Sequence, residues 1–272
     1  MTIRTRNRFI IFFMFISLML LLGAGIITGL DYFSGNFAFP SSNSFTFMQN
    51  NFLFKFNFLA VVFSIFAFLF YTSFFFLFIT IEFEKTQSSE IIFFSVFLFG
   101  CLTESIRLLV PVLNMWNNIT TFTLFCTRTI IFGRICATVA LLFSVICSSP
   151  DYRQYIEQNI LIIFSGSLVI AILIPLNSYE MYPTGIISWG FGRLLRISMI
   201  CILCVAIVSQ FIKSFSSTHR TTMLAVGLLL ISIGYYILCS SYNYFFLFSG
   251  FIPLFGGTFI YLKFLHKQYL WT

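Results

Sequence analysis

The chain has 272 residues, of which 59% are hydrophobic, 21% aromatic and only 8% charged, with a formal net charge of +7. So little polar surface excludes a water-soluble globule, because a fold of this size needs far more charged and polar residues to cover its exterior. The cations are spread along the chain and form no basic face, so the positive balance implies no nucleic-acid partner.

Apolar runs of roughly twenty residues recur from Phe9 to Leu262, and about 20 residues of helix cross a hydrocarbon core about 30 Å thick. The pattern predicts an all-α, polytopic transmembrane helical bundle, a single integral membrane domain over residues 1–272. Eight spans are expected at 9–30, 57–80, 91–113, 121–147, 160–176, 192–212, 222–240 and 244–262. Seven spans plus a re-entrant segment is the competing arrangement, since span five is short and stops at Pro175, which cannot donate a helical hydrogen bond.

Arg4, Arg6 and Arg8 precede the first span. If they stay on the cytoplasmic side, Lys85, Arg153, Lys213, Arg220, Lys263 and Lys267 fall on that side too, and only Lys55 is a clear external loop cation. A multi-pass protein of the cell membrane with both termini cytoplasmic is the expectation, with the lipid bilayer as its first partner. The first apolar run is longer than a secretory h-region and no small-x-small site follows it before Asp31, so it reads as a retained helix. Gly25 and Gly29 would allow a close helix approach there, although such pairs are common by chance.

The external break at 31–56 places Phe at alternate positions: Phe37 and Phe39, Phe45 and Phe47, then Phe52, Phe54, Phe56 and Phe58. Period-two alternation around the turn-like Pro40–Ser44 stretch suggests a small external β-hairpin. The other loops are too short for a soluble domain; the one from Glu82 to Glu90 reads as a solvated connection, as does Ser148–Asn159. Asn118-Ile-Thr120 spells a glycosylation sequon close to the bilayer.

The seven cysteines lie in or at the edges of spans, where burial raises a thiol pKa and suits packing better than redox exchange. Cys201-Ile-Leu-Cys204 therefore resembles a redox motif in spelling alone. The two histidines, His219 and His266, have no ligand-spaced neighbours, so no metal site is expected. No two acidic residues share a span and no glycine-rich phosphate loop occurs, so no catalytic set and no cofactor site are expected.

The distinctive residues are ionisable groups within the spans: Glu104 and Arg107 on the third, Arg128 and Arg134 on the fourth, Arg193 and Arg196 on the sixth. Each needs a partner, a cavity or a route to the interface. Glu104 and Arg107, three apart, can pair on one face; Arg193 and Arg196 share a face, while Arg128 and Arg134 point about 120° apart. One carboxylate against five guanidiniums leaves positive charge that an anion or lipid head group would relieve.

These six residues form the expected anion-binding cluster. Tyr179, Tyr182 and Trp189 of the 177–189 connection form its rim, with Gly190 and Gly192 allowing close backbone approach. The competing reading has Arg128, Arg193 and Arg196 snorkelling to head groups, Glu104–Arg107 as a structural pair and the 177–189 aromatics as an interface belt. The leading functional expectation is a non-enzymatic membrane sensor, or subunit of a membrane complex, that binds an anionic ligand or lipid head group from outside. A membrane protein partner would accompany the subunit role. The alternatives are a transporter of an anionic or lipid-like substrate, and a membrane enzyme on a lipid-linked substrate with Glu104 as its base.

Overall fold

The computed structural model describes residues 3–35, 37, 56–84, 86, 88–116, 120–147, 155–182, 184–215 and 219–270. Its helices are α1 (Ile3–Phe33), α2 (Phe58–Glu82), α3 (Ser89–Leu102), α4 (Leu109–Val112), α5 (Thr121–Ile146), α6 (Ile156–Leu173), α7 (Gly192–Phe215), α8 (His219–Cys239) and α9 (Tyr244–Leu270). A 3₁₀ segment, Thr103–Leu108, joins α3 to α4 into one membrane-length rod, so eight segments are long and apolar enough to span a bilayer. The protein is a multi-pass membrane bundle, and each of these eight segments among the described residues is long enough to cross. The expected spans recur with shifted ends: the first helix begins at Ile3, and the last runs to Leu270 instead of stopping near 262.

Alternating helix directions bring the start of α1 and the finish of α9 to one end of the bundle, here the terminal end. There Arg6 donates to the carbonyls of Phe83 and Thr86, beyond the last turn of α2, where helical carbonyls lack intrahelical partners. Ser89 Oγ donates to the Cys147 carbonyl at 2.9 Å, and the Tyr269 hydroxyl donates to Glu90. Glu90 is 5% exposed, which corrects the expectation of a wholly solvated 82–90 connection. The carboxylate is drawn inward because α9 continues two turns past the predicted boundary and carries Tyr269 to it.

The core lies on α2, α3 and α5, with Phe68, Tyr71, Phe75, Phe93, Phe94 and Phe97 at zero exposure. Lipid tails are as apolar as these side chains, so packing and not burial from water selects this arrangement. Close approach is the means. A Cβ on Gly133 of α5 would lie 1.7 Å from Thr103 Oγ1, and one on Gly234 of α8 would lie 2.4 Å from the Leu254 nitrogen of α9. Gly25 and Gly29 have nothing near them, so that pair mediates no helix contact among the described residues. α1, α6 and α7 present mostly apolar, exposed faces, as helices at a lipid boundary do.

The opposite end carries a two-stranded antiparallel hairpin, β1 (Leu176–Tyr182) and β2 (Ile186–Trp189), with Leu176 opposite Trp189 and Tyr182 opposite Ile186. A hairpin was expected in 31–56, but 38–55 lie outside the described residues, as does Asn118 of the sequon. The hairpin observed occupies the connection that composition alone marks as an aromatic belt. Its second strand is core: Ile186, Ile187 and Ser188 are all buried. The Gly185 turn has φ +77°, a left-handed conformation that glycine adopts at no steric cost.

Candidate functional site

Why the third segment tightens at its hairpin end follows from Pro111, which lacks the N–H that would bond the Arg107 carbonyl in an α-helix. The chain winds instead as a 3₁₀ helix over Thr103–Leu108. With 3.0 residues per turn, positions i and i+3 eclipse, so Glu104 and Arg107 stand directly above one another. Arg107 Nη1 donates to Glu104 Oε2 at 3.1 Å, with both side chains at zero exposure.

Glu104 also receives a second arginine. Arg134 of α5 donates from Nε to Oε1 at 2.5 Å and from Nη2 to Oε2 at 3.0 Å, a forked pairing that matches guanidinium to carboxylate. The same Nη2 donates to the Cys239 carbonyl at 3.3 Å, at the negative C-terminal end of α8. The Trp189 ring lies 5.8 Å from the Arg134 guanidinium carbon, within cation–π range. Arg107 Nε donates to the Thr184 carbonyl at 3.1 Å, and the Ile187 N–H donates to Thr127 Oγ1 at 3.2 Å. One carboxylate thus ties the third segment, α5, α8 and the hairpin together, and the triad carries a net charge of +1. Arg107 Nη2 is buried without a hydrogen-bond partner among the described residues.

Beside the triad lies a cavity of about 610 Å³ bounded by α5, α7, α8 and the hairpin. Arg134, Arg196, Tyr182 and Trp189 of the expected cluster and rim line it; Arg107, Arg128 and Arg193 do not. Arg128 and Arg193 are exposed, and so is Arg196, which meets the cavity at its open edge. That separation follows helical rotation: Arg128 and Arg134 are six residues apart, so if one turns inward the other turns away. The strand backbone at Tyr179 is described, its side chain is not.

Three cavity donors have open valences. Arg134 uses Nε and Nη2 on the protein, leaving Nη1, and Arg196 uses Nε on its own Gly192 carbonyl at 3.2 Å. The Tyr235 hydroxyl, on a residue 3% exposed, has no hydrogen-bond partner among the described residues. Tyr235, with Phe56, Tyr236 and Tyr242, forms an aromatic wall outside the expected cluster and rim. The tyrosines cluster near one helix end, but that signal is shared with any interface belt. Gly190 and Gly192 do admit close neighbours, Pro175 and the Trp189 ring respectively.

Among the described residues no three His, Cys, Asp or Glu side chains converge as metal ligands. Comparison of the chain with protein-family models, curated proteins and solved structures gives no match.

Proposed function

We propose that the protein binds an anionic amphiphile, a molecule with a phosphate or carboxylate head and an apolar body, in the cavity at the hairpin end. The observation that carries this reading is the pairing of two guanidiniums with open donors, Arg134 and Arg196, against a lining that is otherwise largely aromatic and aliphatic. The guanidinium fork suits carboxylate or phosphate oxygens, and the Tyr235 hydroxyl supplies a third donor. A small hydrated anion would leave the Phe56, Tyr182, Met199 and Leu203 surfaces unused; a lipid-like ligand covers them.

The reading is a binding role, as a sensor or as a subunit of a membrane complex. The catalytic alternative needs Glu104 as a base, and that carboxylate is committed to two arginines. We place the hairpin end outside and both termini in the cytoplasm of a cell membrane, because Arg4, Arg6, Arg8, Lys263 and Lys267 gather at the terminal end. Arg128 and Arg193 then act as head-group anchors.

The test is lipid retention. Protein purified from bilayers of phosphatidylcholine and phosphatidylglycerol is released into native mass spectrometry, with inorganic phosphate as a competing free anion. Preferential retention of phosphatidylglycerol, lost in Arg196→Gln and kept in Arg193→Gln, is expected. Equal behaviour of the two variants refutes the site. Displacement by phosphate at modest concentration would show that a free anion, not an amphiphile, is the ligand.

A further inference from the structure

Polarity changes with depth inside the cavity. Arg134 donates to the Cys239 carbonyl at 3.3 Å and lies 5.8 Å from the Trp189 ring, so its guanidinium is level with the start of α7 at Gly192. Thr184, Ser240 and Tyr242 line this mouth, and the exposed Arg196 stands at its open edge. At about 1.5 Å per residue of helix, Arg196 lies about 6 Å, Met199 about 10 Å and Leu203 about 16 Å farther in than Gly192. Met199 and Leu203 line the inner part together with Thr138 and Tyr235. Thr138 Oγ1 donates within its own helix, to the Arg134 and Ile135 carbonyls at 3.2 and 2.9 Å, so it offers no donor to a ligand. The Tyr235 ring packs against Phe97 with centroids 5.5 Å apart, which holds it as a fixed wall.

The inner end is closed. One turn beyond Thr138, Leu203 and Tyr235, on the terminal side, come Leu141, Ala206 and Ile231, all fully buried and none of them lining the cavity. With Leu203 and Tyr235 these three belong to one hydrophobic core cluster, so packed side chains form the floor. The volume above it, about 610 Å³, holds about twenty non-hydrogen atoms at about 30 Å³ each, the share of a water molecule in the liquid. That is one alkyl chain with a compact head, and too little for the two chains of a phospholipid. Depth gives the same size. An extended chain advances about 1.2 Å per bond, so the roughly 10–16 Å between the two arginine levels and Leu203 accept about eight to thirteen bonds.

We infer that the cavity selects a single-chain anion of medium chain length, with Leu203 setting the limit at the closed floor. This rests on the proposed binding site. The phosphate or carboxylate head sits at the level of Arg134 and Arg196, and the chain runs inward past Met199 to Leu203. Transfer from lipid brings no hydrophobic gain, so fit decides. A chain that reaches the floor makes the contacts that an unfilled pocket forfeits. A longer chain must fold back against a packed wall or stay in lipid and leave the floor empty. A two-chain lipid is held by its head alone, which makes phosphatidylglycerol a weaker ligand than a matched single-chain anion.

Titration of the full-length protein in detergent with octyl, decyl, tetradecyl and octadecyl phosphate provides the test. Affinity is expressed as mole fraction in the micelle and read from Trp189 emission, with Trp189→Phe identifying the signal. Decyl phosphate should bind about tenfold more tightly than tetradecyl or octadecyl phosphate, the penalty for forcing extra methylenes into a packed site. Leu203→Ala deepens the floor by about three carbons and should bring tetradecyl phosphate to within about threefold of decyl. Leu203→Phe fills it and should move the optimum to octyl phosphate, so the two variants shift the preference in opposite directions and a general loss of stability cannot mimic them. Equal affinity for all four chains, still weakened by Arg196→Gln, overturns the length limit and leaves the binding site standing. An unchanged preference in both Leu203 variants overturns the limit as well. Binding of none of the four overturns the site and the limit together.

Discussion

The Glu104 triad predicts an asymmetry among substitutions that look equivalent on paper. Glu104→Gln removes the one negative charge and leaves Arg107 and Arg134 as two buried cations without a counter-ion. Breaking a buried pair in this way costs about 3–5 kcal/mol. Arg134→Gln instead leaves Glu104 with Arg107, a neutral pair held at 3.1 Å. Its cost is chiefly the hydrogen bonds to both carboxylate oxygens and to Cys239, together about 1–3 kcal/mol. Arg107→Gln likewise leaves a neutral pair and loses the bond to Thr184.

At about 2–4 °C per kcal/mol for chains of this size, Glu104→Gln should lower Tm by roughly 10 °C and either arginine change by roughly half that. Differential scanning fluorimetry in detergent reads this through tryptophan emission, and Trp189 lies against Arg134. The double variant Glu104→Gln/Arg134→Gln should be more stable than Glu104→Gln alone, because it removes one of the two orphaned cations. A ranking in which Glu104→Gln is the mildest of the three would refute the buried, net-positive triad.

Gly234→Leu should abolish folding, since even a Cβ there meets the α9 backbone at 2.4 Å, whereas Gly256→Ala, with nothing within 4 Å, should leave the melting curve unchanged. Gly192→Ala would place a Cβ 2.4 Å from the Trp189 ring; displacement of that ring, seen as a changed Trp189 emission maximum, is the expected result. Tyr269→Phe should cost about 1–2 kcal/mol by leaving the Glu90 carboxylate one donor short, and protease trimming of the last α9 turns should accelerate accordingly. Reporter fusions at the two ends should report the same compartment, because α1 begins and α9 finishes at one end of the bundle; opposite compartments would break the eight-segment topology.

Hydropathy made the eight segments legible, because a bilayer sets one length scale for all of them. Helical rotation likewise separated Arg134 from Arg128 before any packing was known. Other features had no comparable signature. Aromatic residues at 177–189 read the same whether they coat an interface or fold as a hairpin with Ile187 fully buried. Glu90 sits in a stretch of polar residues, and only the length of α9 decides that it is enclosed. The Glu104–Arg107 spacing announced a pair, but its second arginine comes from thirty residues away, a distance at which sequence offers no geometric rule. The tyrosine wall was hidden for a related reason: Tyr235, Tyr236 and Tyr242 straddle the α8–α9 junction, and only packing turns them towards α7.

The pairing of Glu104 with Arg107 inside one segment has a consequence for biosynthesis. A charge at the centre of a helix entering the membrane costs about 2.5–3.5 kcal/mol on insertion scales, and the third segment arrives with its own counter-ion already aligned one 3₁₀ turn away. The fourth is in the opposite position: between Thr121 and Ile146 it carries two arginines and no acid. Arg134 can enter the bilayer as an ion pair only if Glu104 is waiting for it. Since the chain emerges from its N-terminus, the acceptor is laid down before the donor that depends on it. Reversing that order, by a permuted chain in which α5 is made before α3, would strand Arg134 in lipid during synthesis even though every contact of the finished bundle were preserved.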